Sequence, residues 1–278
     1  MKPMARFIPL LALAALGGCA THNPQDPLEP YNRAMFTIND KVDKAVLKPV
    51  ATGYKAVTPT PIRHGVTNFF GNFGDVWSMT NDFLQGNVHD GLSTFMRVGV
   101  NTVFGLFGTL DIATEMGIYK HPNDFGLTLA RWGVGSGPYV VLPFYGPSTV
   151  RDAAGTGVFL AYGPTAQISP PSASYGALAL NLVNTRANLL SASNLFDQIA
   201  LDPYVFTRSA YEQRRKSQVE EVRDRPIIDL GEPNPLAKYS YDDANGGLMS
   251  FASPTPTAAA SAANSGAKTD AKPDAPSH

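Results

Sequence analysis

Only one cysteine, Cys19, occurs in the 278 residues. No disulfide can therefore staple the chain to itself, and no paired-cysteine metal site exists. The five histidines, His22, His64, His89, His121 and His278, are scattered without metal-ligand spacing, and neither H-E-x-x-H nor a Walker A loop occurs. Gly133, Gly135 and Gly137 fail as a dinucleotide fingerprint, because Pro138 follows directly and no preceding strand or ribose-binding acid supports them. Ser136 is no nucleophile elbow, since Val134 and Pro138 stand where that motif needs glycine. A pairing of His121 with Asp124 and Ser136 is conceivable on sequence proximity, but geometry defines a triad, and loop capping is the plainer role for this histidine. Asp75, Asp82 and Asp90 are separated by helix-breaking positions and read as turn caps rather than an acid–base pair. No metal, cofactor or catalytic site is read from the chain.

Charge is scarce as well as balanced. Twenty-two basic residues face 23 acidic ones for a net charge of -1, which gives no footing for nucleic acid. Charged residues make up 16%, well under the quarter usual in soluble domains. From Ala153 to Phe196 the only charged side chain is Arg186. Either a central helix pair is fully buried there, or that surface faces lipid.

What is present starts at the N-terminus. Lys2 and Arg6 precede the apolar run Phe7 to Leu16, too short to span a bilayer, and Leu16-Gly17-Gly18-Cys19 resembles a bacterial lipobox. A lone cysteine can also be a small buried hydrophobe. The coincidence of charge, apolar length and small residues favours a signal peptide over residues 1–18, cleaved before a lipidated Cys19. Ala20 rather than Asp at the next position points to the outer membrane, periplasmic face. Acyl chains contribute about 0.8 kcal/mol per buried methylene, so three of them anchor permanently. Residues 19–29 form a tether and 30–235 a helical membrane domain. Residues 236–278 form a disordered tail, rich from Phe251 onward in Ala, Ser, Pro and Thr.

Periodicity predicts an all-α domain. Met35, Phe36, Ile38, Val42, Val46 and Leu47 share a helical face that ends near Pro49; Pro59 and Pro61 open a second helix, and Asp75 to Leu84 forms a third, short one. Leu92 to Met116 is apolar in nearly every direction. Arg97, Asn101, Asp111 and Glu115 argue against a simple span, since a charge near a helix centre costs about 2.5–3.5 kcal/mol, so helices lying along one leaflet are expected. In Gly133 to Asp152 the glycines and prolines forbid a regular helix, and Tyr139 to Tyr145 reads as a short hairpin or re-entrant loop lining a cavity. Helices follow over about 149–162 and 175–190, then from Pro203 with Asp202 as N-cap, the last turning charged at Glu212 to Arg225 where it leaves the membrane.

Several segments together resemble the MlaA (VacJ) family of outer-membrane lipoproteins. They are Asp26-Pro-Leu-Glu-Pro-Tyr-Asn-Arg33, Asn68 to Asn72, Asn81 to Gly86, Arg97 with Asn101 to Gly105, Asp124 to Gly126, Gly133 to Asp152, and Asp202 to Tyr204. The resemblance implies a ring of amphipathic helices in the inner leaflet of the outer membrane, around a central channel and beside a trimeric porin. It further implies that mislocalised outer-leaflet phospholipids pass through that channel to a periplasmic, MlaC-like lipid carrier for return to the inner membrane. The segment containing Gly133, Gly135, Gly137, Pro138, Tyr139, Leu142, Pro143, Phe144 and Gly146 is then the hairpin that gates the channel. Arg151 and Asp152 are either a headgroup contact or a helix-start ion pair, and Arg214, Arg215 and Lys216 are the expected carrier contact. Two alternatives stand beside transport: a phospholipase-like envelope enzyme, and a purely structural porin-associated lipoprotein.

A Cys19→Ala form should lose its outer-membrane address yet still partition into membrane or detergent, as read by cell fractionation and phase separation. Free solubility of that form would show the acyl chains to be the whole attachment.

Overall fold

A computed structural model describes residues 25–225, with 195–199 as backbone alone. The signal peptide, Cys19, most of the tether and the expected tail lie outside the described residues. Helix α1 (Glu29–Val42) passes through a π-helical turn (Asp43–Leu47) into α2 (Lys48–Val57). The expected stop at Pro49 does not occur. Proline has no N–H to give to the preceding turn, and the π turn absorbs that mismatch: Lys48 N–H bonds the Asp43 carbonyl and the helix runs on.

Residues 60–84 form one helix, α3 (Thr60–Leu84), rather than two. Gly71 and Gly74, just before the third helix expected from Asp75, are carried inside it. It packs along α4 (Val88–Val103), whose N-cap Asn87 accepts the Asp90 N–H. A short α5 (Ile112–Glu115) follows, capped by Asp111, then α6 (Phe125–Arg131), capped by Asp124. Strands β1 (Tyr139–Leu142) and β2 (Gly146–Thr149) make one antiparallel hairpin, with Tyr139 opposite Thr149 and Leu142 opposite Gly146. Thr149 caps α7 (Val150–Tyr162), and a 3-10 turn (Pro164–Gln167) leads to α8 (Pro171–Ile199), longer than expected at both ends. Asp202 caps α9 (Pro203–Asp224) as predicted, accepting the Tyr204 and Val205 N–H groups. Among the described residues the fold is all-α apart from the hairpin, and no helix is long and apolar enough to cross a membrane.

Neighbours close a circuit: α2 lies on α8, α8 on α3, α3 on α6, α6 on α7 and α9, α7 and α9 on the hairpin, and the hairpin on α1. Gly155 of α7 meets the backbone of Gly126 in α6, where a Cβ would sit 2.6 Å from the Gly126 nitrogen, so these helices touch main chain to main chain.

The distribution of side chains is inverted. Among the described residues, buried positions hold 25 polar or charged side chains against 13 apolar ones, while Phe95, Met96, Val103, Phe104, Leu106, Phe107, Met116 and Tyr162 are all more than half exposed. On α4, Asp90, Thr94, Arg97 and Asn101 form the buried face and Leu92, Phe95 and Met96 the outer one. The segment expected to be apolar all round therefore has a polar stripe, recurring at intervals of three and four, that points inward. On α8, Tyr175 and Leu180 are exposed, so that helix is not fully buried.

Fully buried Arg97 organises this half. Its Nε donates to Asp75 at 2.9 Å, Nη2 to Asp111 at 2.6 Å, and Nη1 to Thr114 and the Ile118 carbonyl. Asp75 is thus a partner of Arg97 and not a turn cap. Removing one member of such a cluster strands buried charge, so Arg97→Ala should destabilise the protein by about 3–5 kcal/mol. Chemical denaturation in detergent checks this; a loss below about 1 kcal/mol would show that water reaches the site.

Candidate functional site: the docked hairpin and the polar interior

The hairpin stands on helix α1. Asn32 and Asn39, seven residues and two turns apart, face it from one side of that helix. The Asn32 side-chain oxygen accepts the Val141 N–H at 2.8 Å and its amide nitrogen donates to the Tyr139 carbonyl at 3.1 Å. Asn39 repeats the pattern, accepting the Phe144 N–H at 2.9 Å and donating to the Leu142 carbonyl at 2.9 Å. Phe144, at the turn, has φ +62° and an exposed ring, with Pro143 beside it also exposed. Tyr139 and Val141 are buried, and Met35, Phe36, Tyr204 and Tyr211 pack around them. The Tyr139 ring centroid lies 6.4 Å from that of Tyr204 and 6.0 Å from that of Tyr211.

The base of the hairpin differs from its body. Trp132 to Pro138 is exposed throughout, so Gly133, Gly135, Gly137 and Pro138 lie on the surface while Gly146 and Tyr139 are buried. Gly137 has φ +67°, a conformation that side chains rarely adopt, and a Cβ there would come 3.1 Å from Val150, a tight contact. A Cβ at Gly135 would meet nothing within 4 Å.

Behind the hairpin runs an ionic cluster, buried at Asp152 and half-exposed at Asp124. Arg215 donates to both Asp124 oxygens at 2.7 and 2.8 Å and to both Asp152 oxygens at 2.8 and 2.9 Å, and Tyr211 donates to Asp152 at 2.8 Å. Burial opposes the charge on each carboxylate, but the guanidinium between them holds both below the usual carboxylate range. Arg215 therefore faces the domain and is no exposed carrier contact; Lys216, 78% exposed and 3.9 Å from Glu220, and Arg214 keep that expectation. Helix α9 does not leave the domain at its charged stretch. It docks through Arg208 to Asp26, Arg215 to Asp124 and Asp152, and Arg225 to Asp90. Arg151 is buried and donates from Nε to Asp152 at 2.9 Å, an ion pair at the start of α7.

His121 does not face Asp124. Its Nδ1 lies 3.6 Å from Asp90, while Arg215 takes both Asp124 oxygens, so the His121, Asp124 and Ser136 grouping is not assembled. Asp90 is no turn cap either, since Asn87, His89, His121 and Arg225 converge on it.

A second polar layer, unrecognised in the sequence, links α3, α6 and the loop before α6. Gln85 donates to Asn123 at 2.7 Å and Thr128 at 2.9 Å; Asn123 donates to Asp82 at 2.7 Å and to Gln85 at 3.0 Å; Thr128 donates to Asn81 at 2.8 Å. Asp82 thus joins an interhelical network and caps no turn. Burial pushes its pKa up to about 7, against a smaller lowering by Asn123. The signal for this layer was the polar stripe Asp75, Ser78, Asp82 and Gln85, at intervals of three and four.

The MlaA lipoprotein family model matches residues 24–218. An intermembrane phospholipid transport system lipoprotein MlaA of Escherichia coli (strain K12) is 37% identical over 248 residues, covering 87% of this chain and 96% of that protein. The protein of that name from Haemophilus influenzae is 34% identical, covering 80% and 92%. A solved structure, described as the structural basis for maintenance of bacterial outer membrane lipid asymmetry, superposes with TM-score 0.61 at 37% identity. It covers 70% of this chain and 98% of its own.

Asp82 carries a pH prediction. Its folded pKa lies above the unfolded one, so its contribution to stability is complete below about pH 4 and is lost as pH rises through 7. Asp82→Asn should raise stability at pH 8 by about 2–4 kcal/mol relative to the parent and change it little at pH 4. Denaturation at the two pH values reads the difference; equal effects at both would place the carboxyl in contact with water.

Proposed function

The chain belongs to the MlaA lipoprotein family, and from that premise we propose that it is a phospholipid conduit of the bacterial outer membrane. Anchored at Cys19 on the periplasmic face, the domain lies in the inner leaflet with its exposed aromatic and aliphatic side chains in lipid. Mislocalised outer-leaflet phospholipids cross its polar interior and pass to a periplasmic carrier for return to the inner membrane. The observation that carries this reading is the inverted distribution of side chains. A protein in water with 25 buried polar residues and Phe107, Val103, Tyr162 and Tyr175 more than 70% exposed would aggregate; one lying in a leaflet would not.

The closed circuit of neighbouring elements supports a ring around a channel, with a polar wall for the headgroup and apolar faces for the acyl chains. The hairpin from Tyr139 to Thr149 borders that path, and the exposed glycine stretch at its base supplies the freedom for gating. Arg151, whose guanidinium has five donors and gives Nε to Asp152, is the cation assigned to the phosphate. Arg214 and Lys216 on the outer side of α9 are assigned to the carrier, and the apolar rim to a trimeric porin. Relatives named as transport lipoproteins favour this over a phospholipase, as does the engagement of His121 and Asp124 with other partners. Released fatty acid on incubation with labelled phospholipid would revive the enzyme reading.

Gly137→Val introduces a branched side chain at positive φ against Val150, whereas Gly135→Val meets open space. In a strain dependent on this protein, Gly137→Val should raise outer-leaflet phospholipid and detergent sensitivity, with Gly135→Val affecting them less. Unchanged asymmetry in the Gly137 variant at normal protein levels would remove the gating role.

A further inference from the structure

The outward edge of β1 offers backbone groups that β2 cannot take, and two side chains engage them. Tyr139 turns its carbonyl and Val141 its N–H away from β2, toward helix α1. The Asn32 amide meets both as one residue of a third strand would, and Asn39 does the same for Leu142 and Phe144 at the turn. The spacing of seven puts both amides on one face of α1, in line with the strand. Asparagine is the side chain that suits this use, since its primary amide donates and accepts within a single plane, as a peptide does.

We propose that Asn32 and Asn39 are positioning residues that seat the hairpin, so that helix α1 sets its resting position and movement of the hairpin begins with release of these two amides. Asn32 is held from behind. It also donates to Asp26 at 3.0 Å, and Asp26 in turn pairs with Arg208 and accepts the Tyr204 hydroxyl. Asn39 is buried beneath the tip, where its oxygen takes the Phe144 N–H. The contrast within the segment decides where motion starts. Strand β1 is bonded on both edges and the turn is held by Asn39, whereas Trp132 to Pro138 is exposed and glycine-rich, tied to α6 through the Val134 N–H and to the start of α7 through the Ser136 and Pro138 carbonyls. The hinge is that stretch and the latch is the asparagine pair. Asp26, seven residues beyond Cys19, sets the same latch close to the lipid anchor along the chain.

The latch rests on the transport reading, and the test separates the two. Full-length protein with Asn39→Ala, Asn39→Asp or Asn32→Ala is compared with the parent by amide hydrogen exchange in detergent and by outer-leaflet phospholipid in a strain lacking its own family member. The alanine variants should exchange the Val141 or Phe144 amide about tenfold faster, with α3 and α4 amides unchanged, and should raise outer-leaflet phospholipid. Asn39→Asp keeps the acceptor for Phe144 and should retain its protection and most of the asymmetry. Faster exchange with asymmetry intact would overturn the latch while leaving transport standing. Equal loss in Asn39→Asp and Asn39→Ala would also overturn it, by reducing Asn39 to a packing residue. Failure of the parent chain itself to restore asymmetry would overturn the transport reading, and the latch's role with it.

Discussion

Pairings of arginine with aspartate hold this molecule together across its elements. Arg97 joins α4 to α3 and the start of α5, Arg186 joins α8 to the π turn, and Arg208, Arg215 and Arg225 join α9 to the N-terminal entry, to α6 and α7, and to α4. In a water-soluble protein such pairs are weak evidence for stability, because apolar isosteres do as well. Here that substitution has no place to act. In the proposed leaflet setting, burying apolar side chains between helices would gain little over leaving them in lipid, and cohesion would come from packing and polar contacts. The bidentate bonds of Arg186 to Asp43, at 2.7 and 2.8 Å, use the single charge between Ala153 and Phe196 for this purpose.

The constraint also explains which parts of the fold could be read from sequence. The cap was legible at Asp202 because a short polar side chain before a helical run is a local signal, and the hairpin was legible because Pro138, Pro143 and Gly146 forbid a helix between them. The breaks expected at Pro49 and between Phe73 and Asp75 rested on local propensity alone. At Pro49 a π turn accommodates the missing N–H, and at Gly71 and Gly74 the long α3–α4 contact overrides the preference of glycine for turns. Helix ends set by tertiary packing carry no mark in the residues beside them.

The site was harder to read because the usual question has the wrong sign in a leaflet. The apolar positions of α4 point outward, and the informative stripe is polar and inward. Arg215 shows the limit most clearly. In the sequence it stands between Arg214 and Lys216 in a charged run that suggests a surface, yet it sits against Asp124 and Asp152, 91 and 63 residues away. Gly126 makes this possible, since a Cβ there would lie 2.5 Å from both the Arg215 guanidinium and the Asp152 carboxylate. No local rule links a glycine to an arginine so far along the chain.

The lipid anchor and the ionic girders then have different tasks. Acyl chains at Cys19 would fix which leaflet the domain occupies, but in the proposed setting they would exert no force on helices already stable in hydrocarbon. Shape is left to directional contacts that cannot be satisfied by lipid: guanidinium to carboxylate, asparagine amide to strand edge, glutamine to asparagine. Such contacts have discrete partners, so a domain built on them has a few defined arrangements rather than a continuum. A passage of the proposed kind would be polar enough for a headgroup and still hold its form, because the buried polar groups around it would be the same groups that hold the domain together.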